Sequence, residues 1–146
     1  MSLFNAIAIS ASGMDAQRTR AELITENLAN ADTTRTPEGG PYRRKDAVFT
    51  SAPAALSFED TLSQHLSMTP AHGVAVSQVV TDDSEPERRY LPGHPDADPD
   101  GYVAFPKINP AEEMTDLMGA SRGYQANVAA ISAVKDMMAR SLDLFK

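Results

Sequence analysis

The chain has 146 residues, of which 42% are hydrophobic and 23% charged, and it contains 10 prolines and no cysteine. These values are those of one ordinary globular domain, and a chain without cysteine has no disulfide, no thiolate nucleophile and no cysteine-ligated metal site. The formal net charge of -7 argues against nonspecific nucleic-acid binding, because phosphate contacts need clustered Lys and Arg.

The N-terminal segment, 1–34, is expected to form a coiled-coil helix, with Ser2 available as its N-cap and Asn30 and Asp32 marking its end. Gly13 weakens the pattern, since a glycine inside a helix costs about 1 kcal/mol relative to alanine unless close packing or a bend uses it. The seam positions recur in alternating steps of four and three: Leu3, Ile7, Ser10, Met14, Gln17, Ala21, Ile24, Leu28 and Ala31.

Neither a membrane span nor a cleaved secretory leader is expected from the sequence. No uninterrupted apolar run approaches the roughly 18 residues that a transmembrane helix requires. The first basic residue is Arg18, so the apolar residues at the start have no positively charged region before them.

The middle segment, 35–108, is predicted to be β-rich, because all ten prolines lie from Pro37 to Pro110 and exclude a long helix. Alternating apolar residues and turn signals predict strands over 42–49, 73–80 and 102–105. Within an insertion at 52–72, apolar residues spaced by four predict a short amphipathic helix over 55–67. The pair Arg88-Arg89 is interpreted as balancing the acidic residues before it on a solvated loop.

The C-terminal segment, 109–146, carries the strongest helical pattern of the chain. Asn109 suits the N-cap, Pro110 suits the first helical position, and Glu112 lies where a capping-box carboxylate reaches back. A second apolar row, Ala130, Val134, Met137 and Leu144, lies beside the main seam. The main seam consists of Met114, Leu117, Ser121, Tyr124, Val128, Ile131, Lys135, Met138, Leu142 and Phe145.

Together these segments predict a mainly α fold with a small β insertion. The long N- and C-terminal helices pair as a coiled coil, and the middle segment consists of short antiparallel strands and loops. Two interpretations of the seams remain open. The helices form an intramolecular antiparallel pair and nothing more, or their spare apolar faces become ordered by association with other chains. The small residues from Gly119 to Gly123 permit close approach of a further neighbour, or are a packing detail.

Chemical motifs give little support for catalysis. Asp96, Asp98, Asp100 and Gly101 spell the first half of a calcium loop, but the twelfth position is Lys107 where a bidentate glutamate is required. The three histidines do not form a ligand pair at helical spacing, and no nucleophile elbow or glycine-rich phosphate loop is present. No enzyme activity, cofactor or metal is therefore expected.

Several motifs resemble those of bacterial flagellar axial proteins, and their combination resembles the FlgC family of flagellar basal-body rod proteins. One departure is 52–72, which is longer than the corresponding loop of that family. The motifs are N-L-A-N-A-D-T at 27–33, P-Y-R at 41–43 with Lys45 and V-F at 48–49, Y-L-P-G-H-P at 90–95, A-D at 97–98, G-Y-V at 101–103, and Met114 with A-S-R-G-Y-Q-A-N-V at 120–128.

The resemblance implies a structural subunit of the rod, the shaft that crosses the periplasm and transmits motor torque. It implies export by the flagellar type III apparatus without a cleaved signal peptide. Expected partners are copies of the chain, other rod proteins, and basal-body ring and export-gate components, with no nucleic acid and no direct membrane insertion. The expected assembly interface is Leu3, Ile7, Met14, Ile24, Asn27, Leu28, Asn30, Leu117, Tyr124, Gln125, Asn127, Val128, Ile131, Met138 and Leu142.

Within this set, the amides Asn27, Asn30, Gln125 and Asn127 either set register by hydrogen bonding or are surface amides with no special partner. The alternative function is a soluble coiled-coil adaptor or export chaperone of a secretion apparatus. Such a protein would also show paired helices and acidity, but it would fold and persist alone.

Overall fold

The computed structural model describes residues 3–53 and 72–143. Two long helices, α1 (Leu3–Ala29) and α2 (Pro110–Asp143), enclose four strands in the sequence. The strands are β1 (Lys45–Pro53), β2 (His72–Thr81), β3 (Glu87–Tyr90) and β4 (Tyr102–Phe105). The mainly α fold with a small antiparallel β insertion is therefore confirmed. The predicted helix over 55–67, the Ser2 cap, Leu144 and Phe145 lie outside the described residues.

Both helices begin or end as the sequence predicts. The backbone N–H of Ala111 donates to Oδ1 of Asn109 at 3.1 Å, which is the predicted N-cap of α2. At the end of α1, Asn30 binds the carbonyl oxygen of Glu26 through its backbone N–H (3.1 Å) and its side-chain Nδ2 (2.9 Å). Asn30 thus satisfies a carbonyl that the last helical turn leaves free.

The helices pack against each other in antiparallel directions. Asn27, near the end of α1, contacts Glu113 at the start of α2, whereas Gly13 lies opposite Asn127. The side of α2 that faces α1 agrees with the predicted seam only in part. Its buried members, Glu113, Ala120 and Val134, each lie one residue before a predicted seam position.

Strands β1 and β2 form a two-stranded antiparallel sheet, from Lys45 opposite Thr81 to Pro53 opposite His72. A bulge leaves Ser77 unpaired in the ladder, and its hydroxyl donates to the carbonyl of Val48 at 3.1 Å. Strand β1 extends four residues beyond the predicted end at 49, and the strands of the hairpin include both ends of the predicted 52–72 insertion. Tyr42 is not part of the ladder, because its backbone N–H donates to Thr33 at 3.0 Å and its ring is buried.

The β1–β2 hairpin lies along α1 and is held at both ends. At one end Asn27 bonds to the backbone of Lys45 in β1. At the other end the N–H of Val74 in β2 donates to Oγ of Ser12 at 3.0 Å. Helix α1 therefore packs against α2 and also carries the hairpin along its length.

Strands β3 and β4 form the second antiparallel pair, from Glu87 opposite Phe105 to Tyr90 opposite Tyr102. The interpretation of Arg88-Arg89 as a loop is wrong. Both belong to β3, where Arg89 pairs with Glu87 and lies 4.8 Å from the centre of the Phe105 ring. The pattern of β3 is not apolar because all four of its side chains are exposed.

The core of the described residues is thin, and two of its members are aromatic. The buried apolar residues are Ala16, Ile24, Tyr42, Val103, Phe105, Ala120 and Val134.

Candidate functional site

A buried polar cluster joins the end of α1, the start of β1 and the start of α2. We call it the Asn27 node, and its members are Asn27, Tyr42, Arg44, Lys45 and Glu113. Asn27 is 0% exposed. Its Oδ1 accepts from the backbone N–H of Lys45 (2.9 Å) and the hydroxyl of Tyr42 (3.1 Å), and its Nδ2 donates to the carbonyl of Lys45 (2.8 Å) and Oε2 of Glu113 (3.3 Å). The amide thus fills both its donor and its acceptor capacity.

Glu113 contributes a carboxylate to the Asn27 node, where its side chain is only 2% exposed. Arg44 compensates that charge by donating from Nε to Oε1 of Glu113 at 2.5 Å. The hydrogen bond and the charge of Glu113 raise the pKa of Arg44, although burial acts in the opposite direction. Arg44 also lies 3.7 Å from Asp116, which in turn lies 3.5 Å from Arg20 of α1. The charged groups therefore connect both helices with β1.

Tyr42 contributes the neutral side of the node. Burial, together with the nearby carboxylates Glu26 and Glu113, raises the pKa of Tyr42 to about 12. Lys45 pairs with Glu26 at 2.5 Å, and its ammonium lies 5.6 Å from the centre of the Tyr42 ring. The phenol therefore keeps its proton, which it donates to Asn27, over the whole neutral range.

The loop after α1 is held in place by the acidic turn that the sequence singles out. Asp96 accepts from the hydroxyl of Thr34 at 2.8 Å and lies 3.5 Å from Arg35. Among residues 3–53 and 72–143, no group of three or more His, Asp or Glu side chains is arranged to hold a metal ion. Neither helix of this part of the chain is long and apolar enough to cross a membrane.

The predicted interface residues of α1 differ in their exposure. Leu3 is exposed, Ile7, Met14 and Leu28 are half-buried, and Ile24 is buried. Asn27 and Asn30 make the hydrogen bonds described above within the chain, at the node and at the helix end. In this conformation Asn27 is completely buried and therefore cannot contact a neighbouring molecule.

The predicted interface residues of α2 divide along the helix pair. Leu117, Asn127, Ile131 and Met138 are half-buried on or beside the side that faces α1. The exposed members are Tyr124, Gln125, Val128 and Leu142. An open groove between the helices brings some of these together with α1; it is lined by Gln17, Arg18, Ala21, Leu117, Ala120, Ser121, Tyr124 and Gln125.

Sequence reasoning missed two exposed apolar residues that lie close to this surface in the chain. Phe4 is 72% exposed at the start of α1, and Met118 is exposed one turn after Met114. The spacing of four between these methionines is a signal that identifies an apolar pair on one side of a helix. Glu113 was missed because a search for apolar periodicity passes over a carboxylate.

Comparisons with known proteins agree with both ends of the chain. Residues 7–35 match the family described as flagella basal body rod protein, and residues 100–144 match the family described as flagellar basal body rod FlgEFG protein C-terminal. The chain is similar to the flagellar basal-body rod protein FlgC of Bacillus subtilis, with 40% identity over 100% of both chains. It is 36% identical to that of Borreliella burgdorferi, over 100% of this chain and 99% of the relative. It is 38% identical to that of Escherichia coli O157:H7, over 99% of this chain and 98% of the relative.

Proposed function

The chain belongs to the FlgC family of flagellar basal-body rod proteins, and we propose that it builds the rod by packing its two terminal helices against neighbouring subunits. It is a structural subunit of the rod and not an enzyme. In this proposal the helices pair as a coiled coil, 1–34 with 109–146, and 35–108 is a separate β-rich segment carried between them.

The observation that carries the proposal is apolar surface left outside the helix pair. Packing of α1 on α2 covers the row that contains Ala120 and Val134, and it leaves Tyr124, Val128 and Leu142 exposed. A helix needs to bury only one stripe to be stable in a monomer. A second apolar stripe suits a polymer in which each subunit contacts several others by heterologous contacts.

The interface residues divide into two roles under this proposal. Leu3, Tyr124, Gln125, Val128 and Leu142 are exposed and contact neighbours directly. The half-buried and buried members hold the helices in the shape that presents those contacts; they are Ile7, Met14, Ile24, Asn27, Leu28, Asn30, Leu117, Asn127, Ile131 and Met138.

We propose that the neighbours are copies of this chain, other rod proteins, and ring and export-gate components of the basal body. The rod lies in the periplasm and transmits motor torque, and the chain reaches it without a cleaved signal peptide. Many shallow aliphatic contacts acting together would then resist the torque.

Circular dichroism of the purified full-length chain tests assembly through the helices. If the exposed stripe needs neighbours, helicity at 222 nm is lower in dilute solution and rises as the chain polymerises. The Leu142→Asp variant is the matched control, and its helicity should not rise. Strong helicity that is independent of concentration would instead favour the adaptor or chaperone.

A further inference from the structure

Two glycines lie on the facing sides of the two helices, and each faces an amide side chain of the other helix. A Cβ atom added to Gly13 of α1 would lie 3.0 Å from both Nδ2 and Oδ1 of Asn127. A Cβ atom added to Gly123 of α2 would lie 3.1 Å from Cδ and 3.3 Å from Cγ of Gln17. These distances are shorter than ordinary van der Waals contact, so the backbone itself forms part of both contacts.

The two contacts are reciprocal. On α1 the amide Gln17 follows Gly13 by four residues, and on α2 the amide Asn127 follows Gly123 by four. Four residues make about one helical turn, so the glycine and the amide of each helix lie on the same side. Because the helices are antiparallel, each amide meets the glycine of the other helix.

Asn127 is the less mobile of the two amides. Its Nδ2 donates to the carbonyl oxygen of Gly123 at 2.9 Å, one turn earlier in α2. It would lose this hydrogen bond by turning away from a side chain added at Gly13. Gln17 has one more rotatable bond, so it adapts more readily to a side chain added at Gly123.

We propose that Gly13, Gln17, Gly123 and Asn127 form a glycine–amide lock that fixes the register of α2 along α1. The neighbouring buried residues Ala16 and Ala120 are small and specify register weakly. If α2 shifted by one turn, Asn127 would meet Ile9 or Gln17 instead of a glycine, and the close approach of the backbones would be lost.

The functional consequence of the lock rests on the proposed rod function. With Gly13 level with Asn127, position 3 of α1 is level with position 137 of α2. The residues from Met138 to Asp143 therefore extend beyond the described start of α1, and Leu142 stays exposed. The register thus decides which part of α2 is presented to a neighbouring subunit.

The test replaces each of three glycines of the full-length chain by alanine. Each variant is compared with the wild type by thermal unfolding and by the swimming of cells in which the chromosomal gene for this chain is deleted and the variant is supplied. Gly13→Ala should lower the unfolding midpoint by about 3 °C or more and abolish swimming, although alanine favours helix. Gly123→Ala should have the same effect more weakly. Gly119→Ala is the matched control, because nothing lies within 4 Å of its added Cβ; it should keep swimming and keep or raise the midpoint.

Relief of the clash separates a lock from a general loss of packing. Removing the opposing amide relieves the clash and should recover part of both readouts. Gly13→Ala with Asn127→Ala, and Gly123→Ala with Gln17→Ala, should each unfold at a higher temperature and swim better than the corresponding glycine variant. The proposal is overturned if Gly13→Ala behaves like Gly119→Ala, or if neither amide removal improves on its single variant. If the wild-type gene does not restore swimming while unfolding still shows the coupling, the rod function fails and the lock stands.

Discussion

Nδ2 of Asn27 lies 3.3 Å from Oε2 of Glu113, and this contact connects two helix ends that are 86 residues apart in the chain. Both side chains are almost completely buried. Because a buried carboxylate is stable only with partners, the arrangement requires a donor at position 27.

Asn27→Asp should therefore lower the free energy of unfolding by on the order of 3 kcal/mol. It places a second carboxylate beside Glu113 and removes the donor to the Lys45 carbonyl. Denaturant unfolding measures the effect. Asn109→Asp is the control, because aspartate also caps a helix, and it should change stability by less than about 0.5 kcal/mol. Equal stability of the two variants would contradict the node.

Two adjacent arginines should respond differently to alanine. Arg44→Ala leaves Glu113 buried without its cationic partner and should cost about 3 kcal/mol. Arg43 pairs with Asp83 on the exposed surface, so Arg43→Ala should cost less than about 1 kcal/mol. Chemical denaturation of both variants at neutral pH checks the difference, and a similar loss for both would refute the assigned role of Arg44.

The raised pKa of Tyr42 predicts how the free energy of unfolding changes at alkaline pH. Its pKa is raised to about 12 in the folded chain, against about 10 in an unfolded chain. The stabilisation from this shift is therefore fully present below pH 10 and is lost as the pH rises through 12, with a total on the order of 3 kcal/mol.

Tyr42→Phe should be about 1 kcal/mol less stable at neutral pH, because the hydrogen bond to Asn27 is lost, and should decline less between pH 10 and 12. Unfolding curves across this range test it. Tyr90→Phe, at an exposed position, should keep the wild-type decline. Parallel declines of wild type and Tyr42→Phe would show that Tyr42 is not the group responsible.

Leu142→Asp should abolish swimming by blocking rod assembly while leaving the protein expressed. Leu142 is 69% exposed, so the new charge has little effect on the monomer and acts at the contact with a neighbour. Ser141→Asp introduces the same charge at the preceding residue and should swim. Leu28→Asp should also prevent swimming, but Leu28 is half-buried, so the monomer is affected as well. Normal swimming of both leucine variants would rule out the proposed interface.

The sequence predicts the elements whose signals are local. Asn109 and Pro110 mark the start of α2, and 102–105 is predicted as the strand that becomes β4. Strand β3 was missed because its exposed, mostly charged side chains carry no apolar alternation, and the strand is recognised only by its ladder with β4.

Part of the predicted seam of α2 lies one residue away from the positions that packing against α1 buries. Hydrophobic periodicity predicts that Met114 and Val128 face α1, whereas in the structure Glu113 and Asn127 do so. The reason is that α1 places Asn27 and Gly13 opposite these positions. Complementarity between distant residues cannot be read from the pattern of one helix alone.

The two attachments of the β1–β2 hairpin have a mechanical consequence. Asn27 and Ser12 hold its opposite ends, and they are separated along α1 by a distance of about 22 Å at 1.5 Å per residue. With one attachment the hairpin could rotate about that point, whereas two attachments at this distance prevent such rotation. A sideways force on the strands therefore turns the hairpin and α1 together.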